Sequence, residues 1–253
     1  MLNWKYINDT YIYDGSFDGL LTIIFDCYIN KIIPLNIISK INYVENILDI
    51  TINITTNYTK AERIFNGIAS HISYDVLYNA YNAFLCEMNN KEITILKYIC
   101  HGFLIGSEIN NMLNIDYVMQ TNLMKKKSLF ECHRLKGLLR FIELGNNIYY
   151  SKIHPDNNIL EPLGQHFIKR LPNQKFIIHD QNRNIIFIYD KKQYKIIDAS
   201  NLNISNISND EKKYQELWKM FFNTISIKER KNSRCQMQYM PKKYWKDLIE
   251  KPI

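Results

Sequence analysis

The chain is 253 residues long, with 46% apolar and 23% charged residues, enough to build one large core or two smaller ones. Only 8 Gly and 6 Pro argue against long disordered tracts, and the most apolar windows, such as 20–29, are too short to span a bilayer. The net charge of +7 is laid unevenly, with 7 Lys/Arg and 11 Asp/Glu in residues 1–110, 11 and 5 in 125–183, and 8 and 3 in 228–253. A positive field of that size attracts polyanions, although a lysine-decorated, solvated face would carry the same charge.

In chain order, TYIY (10–13) reads as a short strand ending at Asp14-Gly15. Ser16 is then an N-cap for a helix with Leu20, Leu21, Ile23, Ile24, Phe25 and Tyr28 at mostly helical spacing, and Pro34 marks a stop beyond it. LDITINIT (48–55) alternates with period 2 and predicts a strand. Four helices follow, at about 60–70, from Ser73, at about 91–105, and from Asp116 toward Cys132, with Gly137 as the C-cap. Residues 138–142 and 147–152 flank Gly145-Asn146 as a hairpin. Residues 159–169 predict a short helix capped near Asp156 or Asn157. The strands at 176–179, 185–189 and 194–197 predict an antiparallel meander. Asp210–Thr224 is an amphipathic helix anchored by Leu217, Trp218, Phe221 and Phe222, and the last element starts at Pro241 with Tyr244, Trp245 and Leu248. The asparagine-rich 201–209 reads as a surface loop. These elements predict one α+β domain over 1–253, an antiparallel sheet of hairpins packed with a helical block, with a helical sub-block at 59–132 and a basic mixed part at 133–253.

Neither GxxxxGK[ST] nor GxGxxG occurs, which excludes the usual nucleotide-phosphate loops. The five cysteines (27, 86, 100, 132 and 235) are odd in number and scattered, with no CxxC, so no local zinc or iron–sulfur site is encoded and reduced thiols are expected. The start MLNWKYINDTY lacks the basic, then apolar, pattern of a signal peptide, which predicts a cytoplasmic protein with no membrane segment.

YDGSFDGLL places Asp14, Ser16 and Asp18 around a helix start, where acids favour the dipole; the alternative is a carboxylate pair that grips a metal or a basic group. In HRLKGLLRF (133–141), His133 and Lys136 belong near a negative helix end, whereas Arg140, beside aromatics, points to stacking and phosphate contact. HPDNNIL and HFIKRLPNQKFIIHD bring His154, His166 and His179 within a short span. With Asp156 or Asp180 they have the residue types of a metal or acid–base site, but their spacing matches no zinc motif, and a buried histidine in a core is the plainer account. The tail 225–245 interleaves Lys228, Arg230, Lys231, Arg234, Lys242 and Lys243 with Tyr239, Tyr244 and Trp245. That pattern suits a backbone-tracking groove with base stacking, or else aromatics that dock the last helix while the lysines stay solvated.

YDGSFDGLL, HRLKGLLRF, PDNNIL followed by HFIKRLPN, and RKN…QMQYMPKKYW, in that order, resemble a bacterial family of DNA-metabolism or DNA-repair proteins, a domain of unknown function. The resemblance implies a gene beside that of a radical SAM protein regarded as a DNA modification or repair enzyme, and in some members a fused uracil-DNA-glycosylase-like domain. This chain has neither a CxxxCxxC nor a fused glycosylase domain, so those partners would be separate chains. It departs from the family pattern at Asn157, where a histidine is common, and at Ser233, where a proline is common.

The reading is a DNA-metabolism accessory protein that binds nucleic acid, DNA before RNA, through Arg134, Lys136, Arg140, Lys169, Arg170, Arg230, Lys231 and Arg234, with no cofactor and no metal. One rival is a nucleic-acid-processing enzyme using His133 or His166 with Glu143 or Asp180. A second is an adaptor that docks an acidic protein surface.

Overall fold

The computed structural model describes residues 4–46, 49–145, 147–200, 209–230 and 232–250, and the chain divides into two compact units, Met1–Leu129 and Phe130–Ile253.

The first unit opens with β1 (Lys5–Tyr13), α1 (Phe17–Asn30) and β2 (Ile32–Ser39), followed by β3 (Ile50–Asn53). Its three strands are all parallel, in the order β2-β1-β3, with Thr10 opposite Asn36 on one side and Thr51 on the other. This corrects the expected antiparallel hairpins. A period-2 pattern does not distinguish the two pairings; the crossover helix α1, which returns the chain to the same edge, does. Pro34 lies beyond α1, as expected, and sits inside β2, which an edge strand tolerates because one side of its backbone needs no partner.

Ser16 caps α1 as expected, its Oγ accepting from the Gly19 amide at 2.9 Å. Asp14 accepts from the Ser16 amide (2.9 Å), the Ser16 hydroxyl (2.7 Å) and Thr56 Oγ1 (2.7 Å), so the DGS turn is a joint built by hydrogen bonds. Gly19 is required there, since a Cβ would fall 2.4 Å from Asp14 Oδ1. Around the sheet lie α2 (Tyr58–Gly67), a π-turn at Ile68–Ile72, α3 (Tyr74–Phe84, capped by Ser73), α4 (Lys91–Ile105) and the start of α5 (Asp116–Leu138). Leu20, Leu21, Ile23, Ile24, Ile95 and Ile99 form the fully buried centre.

The second unit holds the end of α5, then β4 (Ile142–Glu143), β5 (Ile148–Ile153), α6 (Leu160–Arg170), β6 (Lys175–Asp180), β7 (Ile185–Tyr189), β8 (Tyr194–Asp198), α7 (Asn209–Ile225) and α8 (Ser233–Tyr239), with a 3-10 turn at Lys242–Asp247. The β4–β5 hairpin and the β6–β7–β8 meander form as predicted, but β5 and β6 pair in parallel across α6, so this sheet is mixed. Its core joins Leu160, Leu163 and Phe167 of α6 to Ile153, Phe176, Ile178 and Phe187.

Three local expectations are overturned. First, α5 runs through Gly137 to Leu138, so Gly137 is not the C-cap and 138–141 is not a strand. Second, α6 has no side-chain cap, because Asp156 and Asn157 are held by other groups. Third, the apolar face of α7 is largely exposed and does not anchor it, with Leu217 58% and Phe221 53% accessible. The 201–208 part of the expected loop, and Asn146 of the hairpin turn, lie outside the described residues. All five cysteines are free thiols, and only Cys235 is exposed.

Candidate nucleic-acid interface

Along the helix that ends at Leu138, Met124, Ser128, Glu131 and Leu135 follow one another at steps of three and four, and all are buried. Glu131 is therefore an acid on a buried stripe and must find partners. Its carboxylate accepts from the amides of Asp156 (3.0 Å) and Asn157 (2.8 Å), from Asn157 Nδ2 (2.7 Å), from Lys243 Nζ (2.8 Å) and from the Tyr244 hydroxyl (2.8 Å). Burial alone would push its pKa up, but these donors, Lys243 first, hold it below the usual carboxylate value. Lys243 also bonds the Asp156 carboxylate, and burial is outweighed by its acid partners, so its pKa is raised. Three of the sequence blocks singled out above are thus tied at one carboxylate: the end of α5, the PDNN loop and the KKYW tail.

The same loop is gripped from its other side. Asp180 is fully buried, and burial raises its pKa against the pull of Arg183, whose Nη1 lies 3.0 Å from Oδ2. Arg183 continues to the carbonyls of Pro155 (3.2 Å) and Asp156 (2.6 Å). His154 Nδ1 lies 3.0 Å from Asp247 Oδ2, while the Asp247 Oδ1 atom is buried without a hydrogen-bond partner. His179 lies 2.9 Å from the Tyr150 hydroxyl, and burial lowers its pKa.

Of the residues named from the sequence, Asp180 is a buried structural acid, His133 is exposed on α5, and Glu143 lies on β4. Among the described residues none of these pairs with His166, so the proposed His/acid set is not assembled. Arg140 is engaged within the fold: Nη2 binds Glu250 at 2.8 Å, and Nη1 reaches the carbonyls of Gly137 and Leu138, both at 3.3 Å, which closes the last turn of α5. Arg134 lies 4.0 Å over the Phe130 ring and donates to the Gln238 carbonyl at 2.9 Å. Arg230 and Arg234 are exposed, and Lys231 lies outside the described residues. Tyr244 is buried and docks the tail, as one of the two readings held, while Lys243 beside it is exposed and paired with Glu131.

Lys136, Lys169 and Arg170 stand on two helices that share a core, with Leu135 of α5 and Phe167 of α6 both in it. They stand in the last turns of α5 and α6, and all three positive charges act on His166, whose pKa is lowered by burial first and then by Lys136, Arg170 and Lys169. Among the described residues no carboxylate pairs with any of the three cations. Helix-end dipoles explain why cations stand there, but not why three gather about one imidazole without a counter-ion. Among the described residues, no group of three or more His, Cys, Asp or Glu side chains is placed to hold a metal, and no helix is long and apolar enough to cross a membrane.

No curated protein matches the chain. Among solved structures, the pGpG-specific phosphodiesterase PggH from Vibrio cholrae is similar over 72% of this chain and 80% of its own, at 11% identity and a TM-score of 0.32, a likeness too slight to assign a fold or a reaction. The model of a domain of unknown function, DUF4130, matches residues 89–250, well over half the chain and nearly all of its basic part. The chain belongs to the DUF4130 family.

Proposed function

We propose that the second unit binds the sugar–phosphate backbone of a nucleic acid, DNA before RNA, and that the chain serves DNA metabolism as an accessory to a radical SAM protein made as a separate chain. The supporting observation is the cluster of Lys136, Lys169 and Arg170 around His166 with no acidic partner among the described residues. Unpaired cations from two helix ends form a phosphate-binding surface, because neutralising phosphates releases condensed counter-ions. Exposed Arg230 and Arg234 add charge of the same sign. Arg134 and Arg140 are left out of this surface, because Arg134 donates to the Gln238 carbonyl and Arg140 pairs with Glu250.

The test is the salt dependence of duplex DNA binding by the full chain and by a Lys136→Gln, Lys169→Gln, Arg170→Gln variant. The variant should bind more weakly, with a log–log salt slope shallower by roughly 3, about 0.9 per lost phosphate contact. An unchanged slope refutes the assignment. The radical SAM partnership is supported by the resemblance of the four sequence blocks, and co-purification after nuclease treatment tests it.

A further inference from the structure

On α7, Tyr214, Leu217, Trp218 and Phe221 fall at i, i+3, i+4 and i+7, which is one helix face. That face is open to solvent, with Tyr214 66%, Leu217 58% and Phe221 53% exposed. Together with Phe141 and Ile249 it walls an open slot of about 420 Å³, whose polar residues are Glu211 and Gln215. The size lies near the small end of small-molecule sites, roughly 300–1,000 Å³. Four of the slot's six apolar residues are aromatic, which suits a flat occupant better than an aliphatic groove would.

The indole of Trp218 is held in place. Trp218 Nε1 donates to Glu250 Oε2 at 3.1 Å, the Arg140 guanidinium stands 5.9 Å from its ring centroid, and the Phe221 ring lies 5.8 Å away at a tilt of 35°. Arg140 and Glu250, already paired with each other, thus hold the indole from behind. The polar wall is fixed too, since Glu211 accepts from Gln215 Nε2 at 2.9 Å and from the Glu143 amide at 3.2 Å.

We propose that this slot takes one unstacked nucleobase, so that the nucleic acid bound is single-stranded or locally opened. The inference rests on the nucleic-acid reading above and names the form of its substrate. Every base offers a π face to an aromatic platform, and a carboxylate with an amide beside it meets the exocyclic amines on base edges. Glu211 repels phosphate, so the base and not the backbone enters, while the surrounding segment 209–250, with 10 Lys/Arg against 6 Asp/Glu, holds the strand outside. A second copy of the chain fits the slot less well, because pairing would set two net charges of +7 against each other.

The experiment compares the full chain with Tyr214→Ala and Phe221→Ala variants, both at exposed positions, after circular dichroism shows them folded. Binding to a short single strand carrying 2-aminopurine, and to a duplex of equal length, is read by anisotropy and by 2-aminopurine emission. The expected result is single-strand affinity about five- to 150-fold weaker in the variants, the range of one lost base stack, with duplex affinity unchanged and emission no longer quenched. Equal losses on both substrates, or no loss on either, overturn the slot assignment. A concentration-dependent dimer abolished by Phe221→Ala, with single-strand binding intact, overturns it in favour of self-association. If neither nucleic acid binds, the broader reading fails; duplex binding without single-strand preference sinks the slot alone.

Discussion

Glu131→Ala is the substitution whose cost the structure fixes best. It removes a carboxylate only 6% exposed at its side chain and strands five donors. Two of these are backbone amides that cannot turn away, and the Tyr244 hydroxyl is buried with them. A buried donor left unmet costs about 1–3 kcal/mol, and the Asn157 amide, the Asn157 side chain and the Tyr244 hydroxyl are all buried, so about 3–5 kcal/mol is expected. Lys243→Met is the control: the carboxylate keeps four neutral donors, and the lysine side chain is 37% exposed, so solvent screening leaves a cost near ~1 kcal/mol. Urea unfolding followed by Trp218 and Trp245 fluorescence measures both. The sign of the pH effect follows from the lowered pKa of Glu131. Its stabilisation is complete above the ordinary carboxylate value of the unfolded chain and is lost as pH falls through the lower folded value. The difference between the wild type and Glu131→Ala should therefore be full at about pH 7 and shrink as pH falls below the ordinary carboxylate value. A Glu131→Ala cost no larger than that of Lys243→Met would refute the reasoning, because the knot would then be a surface ion pair.

Gly164→Ala should destabilise the second unit by about 1–3 kcal/mol, because the new Cβ would fall 2.4 Å from the Phe187 ring, which is itself stacked between Phe176 and Tyr194; thermal melting checks it. His166 should titrate below the ordinary histidine value in the free protein and higher when a polyanion neutralises Lys136, Lys169 and Arg170, as followed by imidazole NMR; no upward shift at saturating DNA would count against their sharing a phosphate site.

What was legible in the sequence was local. Ser16 and Ser73 declare helix starts because a hydroxyl meets an amide three residues on, and both do so. The Asp190 turn and the meander around it are set by short-range hydrogen bonds, and they form where the pattern placed them. Strand direction was not legible, since alternation looks the same whichever way the partner runs. Nor was α7 legible as exposed: amphipathicity says that a helix has an apolar face, not what covers it.

The site shows the same division. Arg140 sits beside aromatics in a block that reads as an interface, yet Arg140 closes the last turn of α5 and braces Trp218 through Glu250. Its partners are 1–3 and 110 residues away, and no spacing rule joins them. Glu131 carries a signal legible in the sequence, an acid at steps of three and four among Met124, Ser128 and Leu135. Such an acid requires donors from elsewhere in the chain, and PDNN and KKYW supply them. Those blocks therefore help to hold the unit together. The cations left over, Lys136, Lys169 and Arg170 at the ends of α5 and α6, have no acidic partner among the described residues, and they are the ones the proposed function rests on.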